Sequence, residues 1–202
     1  MREESKLRKQ DEKAADIVAD FLDKTFYKEE TNDFIRNVEK TLQVYGIDTI
    51  FTYQGKKYKC DEKTTAHYRN LKTFALELSF INKNGDVTKG WLLNENLLNN
   101  SYLFAWLDND KVEISLVEKA TLLEYLESLG WTRQLLFKKQ EKIRNSFDNF
   151  QTENLGDLDE YGIKFHYSRQ LVEKPINILL PREKYAELSV FNKIYPTTKW
   201  QK

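Results

Sequence analysis

Hydrophobic residues recur at intervals of three and four over residues 5–27, where Leu7, Ala14, Ile17, Val18, Phe21 and Leu22 stand among Lys, Glu and Asp. That spacing lines one side of an α-helix with apolar side chains. After a charged break at Lys28-Glu29-Glu30, the positions of Phe34, Ile35, Val38 and Leu42 predict a second helix starting near Thr31-Asn32 and stopped by Gly46. Beyond it the period shortens. Residues 49–53 are dense in β-branched and aromatic side chains, Gln54-Gly55 marks a turn, and residues 57–63 form the return strand. Over residues 73–81, Phe74, Leu76, Leu78 and Phe80 take one face and Ala75, Glu77 and Ser79 the other. The turn Lys83-Asn84-Gly85-Asp86 then leads into residues 87–93, and residues 102–107 and 112–117 pair around Asp108-Asn109-Asp110.

From Lys119 the pattern is helical again, through Leu122, Leu123, Tyr125, Leu126 and Leu129 to Gly130. A basic helix is predicted over residues 133–147, a polar surface loop over 149–159, strands over 163–167 and 176–180, and a last helix entering at Pro181. No internal repeat or domain linker stands out. The expectation is one domain over residues 1–202, with its core at about 8–130 and residues 131–202 as a helical and β extension packed on it. Helices, then a β-meander, then helices predict an α/β (α+β) fold. It would have N-terminal helices, a central mixed β-sheet and flanking C-terminal helices.

Composition restricts the function classes. Of 202 residues, 40% are hydrophobic and 13% aromatic, enough to build a core and to argue against a disordered chain. The 32 basic and 32 acidic side chains cancel, which disfavours a protein that coats nucleic acid by bulk charge but permits a local basic groove. Cys60 is the single cysteine, so an internal disulfide and a Cys-based zinc site are both excluded. The run Met1-Arg2-Glu3-Glu4-Ser5-Lys6 has no apolar segment of a signal peptide, and no stretch approaches a membrane span. A cytoplasmic protein without a membrane partner is expected.

Candidate chemistry comes from three acid-x-Lys triplets, Glu4-x-Lys6, Asp11-x-Lys13 and Asp61-x-Lys63. The first two fall on the opening helix, where residues i and i+2 point apart. The third falls on a strand, where i and i+2 share a face, so Asp61 and Lys63 project together and Glu62 projects away beside Tyr58 and Cys60. A tight hairpin through Gly55 brings Asp48, at the start of the preceding strand, near Asp61. Two carboxylates and a lysine at one point suit phosphodiester hydrolysis. Asp48 and Asp61 are the candidate ligands for Mg²⁺, a hard cation that prefers oxygen and for which Mn²⁺ substitutes. Such an ion acidifies a water and neutralises charge on the phosphate, and Lys63 is the candidate catalytic residue that orients or deprotonates that water. The bland alternative is a same-face salt bridge on an exposed strand, worth little, with Asp48 as a turn residue after Gly46.

The residues Gly46-Ile47-Asp48 and Lys59-Cys60-Asp61-Glu62-Lys63 resemble the signature of the PD-(D/E)xK, or restriction-endonuclease-like, superfamily. The resemblance covers roughly residues 8–120, with Ile47 where the motif has Pro. The wider pattern, Gln43-x-x-Gly46-Ile47-Asp48 with Thr73-Phe74-Ala75-Leu76-Glu77-Leu78 and Gly90-Trp91-Leu92, is similar to small uncharacterised phage or mobile-element proteins of this class. It implies an opening helix, a three-stranded meander carrying the site, a helix and a further strand. It also implies a magnesium-dependent endonuclease acting on nucleic acid, expected to be DNA, and a homodimer where both strands are cut. The alternative is an inactive nucleic-acid- or protein-binding module on the same fold, or a structural module.

Asp11, Glu12, Gln43 and Glu77 are second-tier candidates, as further ligands or as hydrogen-bonding groups at the site. His67 and His166 have no partner at metal-ligand spacing, which disfavours a zinc site or a catalytic triad. No phosphate-cradling glycine loop occurs among the seven glycines. Lys138, Lys139, Lys142 and Arg144 read first as a solvated helix face and second as a DNA-backbone contact.

Overall fold

A computed structural model of the protein describes residues 15–37, 40–65, 69–145, 164–168 and 171–197. Helix α1 covers residues 15–30 and contains a π turn at Asp23–Tyr27. There follow β1 (Asn32–Arg36), α2 (Lys40–Gln43), β2 (Thr49–Tyr53), β3 (Lys56–Thr64), β4 (Thr73–Ile81) and β5 (Val87–Lys89). Then come β6 (Ser101–Leu107), β7 (Lys111–Glu118), α3 (Lys119–Ser128) and α4 (Arg133–Asn145). The chain closes with β8 (Lys164–Tyr167), β9 (Ile176–Pro181), α5 (Arg182–Leu188) and β10 (Phe191–Pro196). The fold is α+β, as the order of hydrophobic periods predicts.

The chain divides into two compact units. One comprises Met1–Leu71, Leu98–Lys119 and Leu188–Lys202; the other comprises Lys72–Leu97 and Ala120–Glu187. Residues beyond 131 are thus shared between the units. Each unit carries one sheet.

The first unit holds a six-stranded mixed sheet in the order β1-β2-β3-β6-β7-β10. Its neighbours are antiparallel except β3 and β6, which run parallel from Cys60 opposite Ser101 to Thr64 opposite Ala105. One face of this sheet closes over α1. Val18, Phe21, Leu22, Phe26 and Tyr27 of α1 pack against Phe51, Tyr58, Cys60, Leu103, Ala105, Ile114 and Leu116. Each fully buried Leu, Ile or Phe of that set contributes on the order of 1.5–3 kcal/mol. The edge rings add directional contacts: Phe26 meets Phe51 edge-on at 5.7 Å, and Phe34 stacks on Tyr27 at 4.2 Å.

The second unit holds a four-stranded antiparallel sheet in the order β5-β4-β9-β8. Leu76 and Leu78 of β4 and Ile176, Ile178 and Leu180 of β9 are buried there. Gly90 closes the β4–β5 hairpin against the Glu77 backbone, where an added Cβ would lie 2.4 Å from the Glu77 carbonyl oxygen.

Two predicted elements are corrected, and one strand lay outside the expectations. The helix expected from Thr31-Asn32 is instead strand β1 followed by the short α2; Val38 lies outside the described residues. Phe34 and Ile35 point to opposite faces, Phe34 onto Tyr27 and Ile35 outward at 60% exposure, which a helical stripe would not allow. Residues 73–81 do not extend the β2–β3 hairpin into a meander. They belong to the second sheet, and β3 takes β6 as its other neighbour. Strand β10 was not predicted, because Asn192, Lys193 and Ile194 interrupt the alternation between buried Phe191 and Tyr195. No helix among the described residues is long and apolar enough to cross a membrane.

Candidate functional site

The β2–β3 hairpin turns on Gln54 and Gly55, whose φ angles are 48° and 79°. Two successive positive φ values define a two-residue turn whose twist matches the flanking strands, and they set a tight register. Tyr53 faces Lys56, and at the far end Thr49 faces Cys60. Continuing one residue further sets Asp48 against Asp61. The Asp48 amide donates to the Cys60 carbonyl at 2.9 Å, and the Glu62 amide donates to Asp48 Oδ2 at 2.8 Å. From the other side the Asn37 amide donates to the Asp48 carbonyl at 2.8 Å, and Asn37 Nδ2 donates to the Ile47 carbonyl at 2.9 Å. Asp48 is thereby held by backbone on both flanks.

Asp61 is only 5% exposed, and Lys63 Nζ donates to Asp61 Oδ1 at 2.7 Å. Burial pushes the Asp61 carboxyl up. Lys63 opposes that rise, whereas the neighbouring Asp48 carboxyl adds to it, and the result lies at about 6. The structure therefore brings together Asp48, Asp61 and Lys63. The two carboxyls crowd one point with the Lys63 ammonium beside them.

Glu62 points to the opposite face of β3 and anchors a network absent from the sequence reading. Arg36 of β1 donates through Nη1 to Glu62 Oε2 at 2.8 Å and through Nε to Asp23 Oδ1 and Oδ2 at 3.0 Å. The Tyr27 hydroxyl donates to Glu62 Oε1 at 2.7 Å and lies 2.9 Å from Thr49 Oγ1. Burial raises the Glu62 carboxyl above its ordinary range, against the pull of Arg36 and Tyr27. The same burial disfavours the Arg36 cation, but its bonds to Asp23 and Glu62 outweigh that and hold it charged. The π turn carries both Asp23 and Tyr27 to this point. A sequence signal was present, since Asp23 and Tyr27 are spaced i,i+4, but their partner Arg36 was assigned to a helix.

The second-tier residues fall elsewhere. Asp11, Glu12 and His67 lie outside the described residues. Gln43 is exposed, and its Nε2 donates to the Asn37 carbonyl at 3.4 Å. Glu77 sits on β4, opposite Asn177 in the second sheet. His166 is on β8 with Nδ1 3.2 Å from Ser168 Oγ. Of the basic residues on α4, Arg144 donates through Nη2 to Ser79 Oγ at 2.8 Å and lies over the Tyr167 ring, so it is part of the second unit's packing. No group of three or more His, Cys, Asp or Glu side chains is placed to hold a metal among the described residues. Asp48 and Asp61 remain as a two-carboxylate oxygen donor set. Such a set fits Mg²⁺, which is commonly held by one or two carboxylates and keeps several waters.

No protein-family model matches the chain, and no curated protein matches it. Among solved structures the chain is similar to one described as the crystal structure of MepB, with 11% identity over 90% of this chain and 97% of that one. The TM-score is 0.31, which carries neither a fold assignment nor a function.

Proposed function

We propose that the protein is a magnesium-dependent phosphodiesterase of the PD-(D/E)xK kind, acting on DNA through Asp48, Asp61 and Lys63. The observation that carries the reading is the meeting of two carboxyls and a lysine at the open end of one hairpin, with Asp61 buried. Asp48 and Asp61 would hold the ion through their carboxylate oxygens. An ion held there would supply positive charge to the scissile phosphate and would acidify a water. Lys63, on the face shared with Asp61, donates to a phosphate oxygen or orients the attacking water. The Glu62 amide, holding Asp48 Oδ2, keeps the second carboxylate aimed at the same point.

Cleavage of a short DNA duplex in Mg²⁺ or Mn²⁺ tests this. Asp61→Ala and Lys63→Ala are each expected to lower the rate by about 10² or more, the lower end of what a positioned acid–base group contributes. Cleavage that persists in both variants removes the assignment.

A second reading is favoured by the Lys63–Asp61 bond itself, which neutralises Asp61 within the chain and needs no ion. On that reading the hairpin belongs to a binding module without catalysis. Thermal unfolding in Ca²⁺ or Mn²⁺ separates the two: metal-dependent stabilisation that vanishes in Asp48→Ala supports the catalytic site, and its absence in the parent supports the module.

A further inference from the structure

Strand β3 has two chemically distinct faces. Tyr58 and Cys60 turn into the core under α1, whereas Lys57, Lys59, Asp61 and Lys63 share the other face at every second position. Lys57 lies opposite Thr52 and Lys59 opposite Ile50 on β2, so a short uncharged strand flanks the lysines on that side. Both lysines are exposed and have no acidic partner among the described residues. Asp33 on β1, the acid in line with Thr52, accepts from the Thr52 hydroxyl at 3.3 Å.

The backbone that carries the two lysines is held firmly. Pairing of β3 with β6 begins only at Cys60 opposite Ser101, and Asn100 takes over the edge before it. The Lys59 amide donates to Asn100 Oδ1 at 2.8 Å, the Asn100 amide donates to the Lys59 carbonyl at 2.9 Å, and Asn100 Nδ2 donates to the Lys57 carbonyl at 3.2 Å. The row is thus a fixed line of positive charge that runs into the carboxyl pair.

Its length suits one nucleic-acid strand. Four residues of β-strand separate Lys57 from Asp61, a rise of about 13 Å. Alternate residues of the row stand about 6.6 Å apart, close to the separation of neighbouring phosphates on one strand, so the row from Lys57 to Asp61 spans about three phosphates. The chain has no net charge, so any affinity for a polyanion must come from a local array of this type.

We propose that Lys57 and Lys59 bind the sugar–phosphate backbone of DNA on one side of the scissile phosphate and lead that strand along β3 to Asp61 and Lys63. The proposal rests on the phosphodiester reading above and adds the direction in which the substrate lies. Lysines of this row act as point charges on phosphates, so they confer affinity and register but no base preference.

The test is binding of a fluorescein-labelled DNA duplex to the full chain in Ca²⁺ at a series of salt concentrations. The proteins compared are the parent, Lys57→Ala/Lys59→Ala, and Lys56→Ala. Lys56 lies on the opposite face of the same strand and pairs with Glu118, so its removal matches one charge change without touching the row. Each lost phosphate contact lowers the salt slope by about 0.9, so a fourfold rise in salt should weaken the parent about twelve-fold more than the double variant. Lys56→Ala should keep the parent's slope. A double variant with the parent's slope, a Lys56→Ala variant that loses as much per charge, or a parent that does not bind overturns the proposal. Failure of the nuclease reading looks different: lysine-dependent binding persists while no Mg²⁺-dependent cleavage sensitive to Asp61→Asn is found. All three lysines are exposed, and coincident melting curves establish that each variant is folded.

Discussion

Replacing Asp61 by Asn tests the electrostatics of the hairpin site without any assumption about substrate. Burial, together with the Asp48 carboxyl and against the pull of Lys63, moves Asp61 from 3.8 to about 6. In the unfolded chain the group has released its proton well below that. Between about pH 4 and pH 6 the folded state therefore binds more protons than the unfolded state, and stability must fall as pH rises through that window. The contribution is fully present below 3.8 and lost above about 6. A displacement of about two pH units corresponds to about 3 kcal/mol. Asn is neutral throughout, is nearly isosteric, and its Oδ1 still accepts from Lys63. The stability difference should therefore shift in favour of Asp61→Asn by about 3 kcal/mol on going from about pH 4 to about pH 7. Urea unfolding of parent and variant across that range reads the shift directly, as diverging midpoints at equal slope. Adding Mg²⁺ at about pH 7 should close the gap from the parent's side only, by about 2.7 kcal/mol when the ion stands at about a hundred times its dissociation constant. Parallel pH profiles for the two proteins would refute the claim that burial and Asp48 raise the Asp61 carboxyl.

Other consequences follow from contacts outside that pair. Arg36→Met leaves Glu62 and Asp23 without their shared cation in a largely buried setting, and should cost about 3 kcal/mol by thermal or urea unfolding. Part of that loss should return in Arg36→Met/Glu62→Gln, and full stability of the single variant would show that the network is dispensable. Gly90→Ala places a Cβ 2.4 Å from the Glu77 carbonyl oxygen, which is backbone and cannot swing aside. A loss of about 1–3 kcal/mol is expected, and an unchanged melting temperature would mean that the β4–β5 hairpin opens freely.

Much of the local structure was legible from the chain because it rests on short-range physics. The helix expected over residues 5–27 from its apolar stripe is present over its described part, 15–27, and Gln54-Gly55 announced the turn because Gly55 takes a positive φ without a Cβ clash. The alternation over 57–63 assigned Asp61 and Lys63 to one face and Glu62 to the other, and that parity is what the two hydrogen bonds, Lys63 to Asp61 and Tyr27 to Glu62, express. Where reading from the chain failed, the deciding contact was distant. Residues 32–36 carry apolar spacing compatible with a helix, but the free edge of β2 and the ring of Tyr27 were available to them only in the assembled unit, and strand pairing won. Residues 73–81 alternate as any strand does, yet alternation does not say which sheet a strand joins. The chain alone thus determined an α+β fold and a hairpin with an acid, an acid and a lysine at one end. Only tertiary structure decided that β3 would lie beside β6, that Asp61 would be buried against Asp48, and that Arg36 would join Asp23 to Glu62. Register and side-chain parity are set by residues next to one another, whereas sheet partners and burial depend on segments tens of residues away.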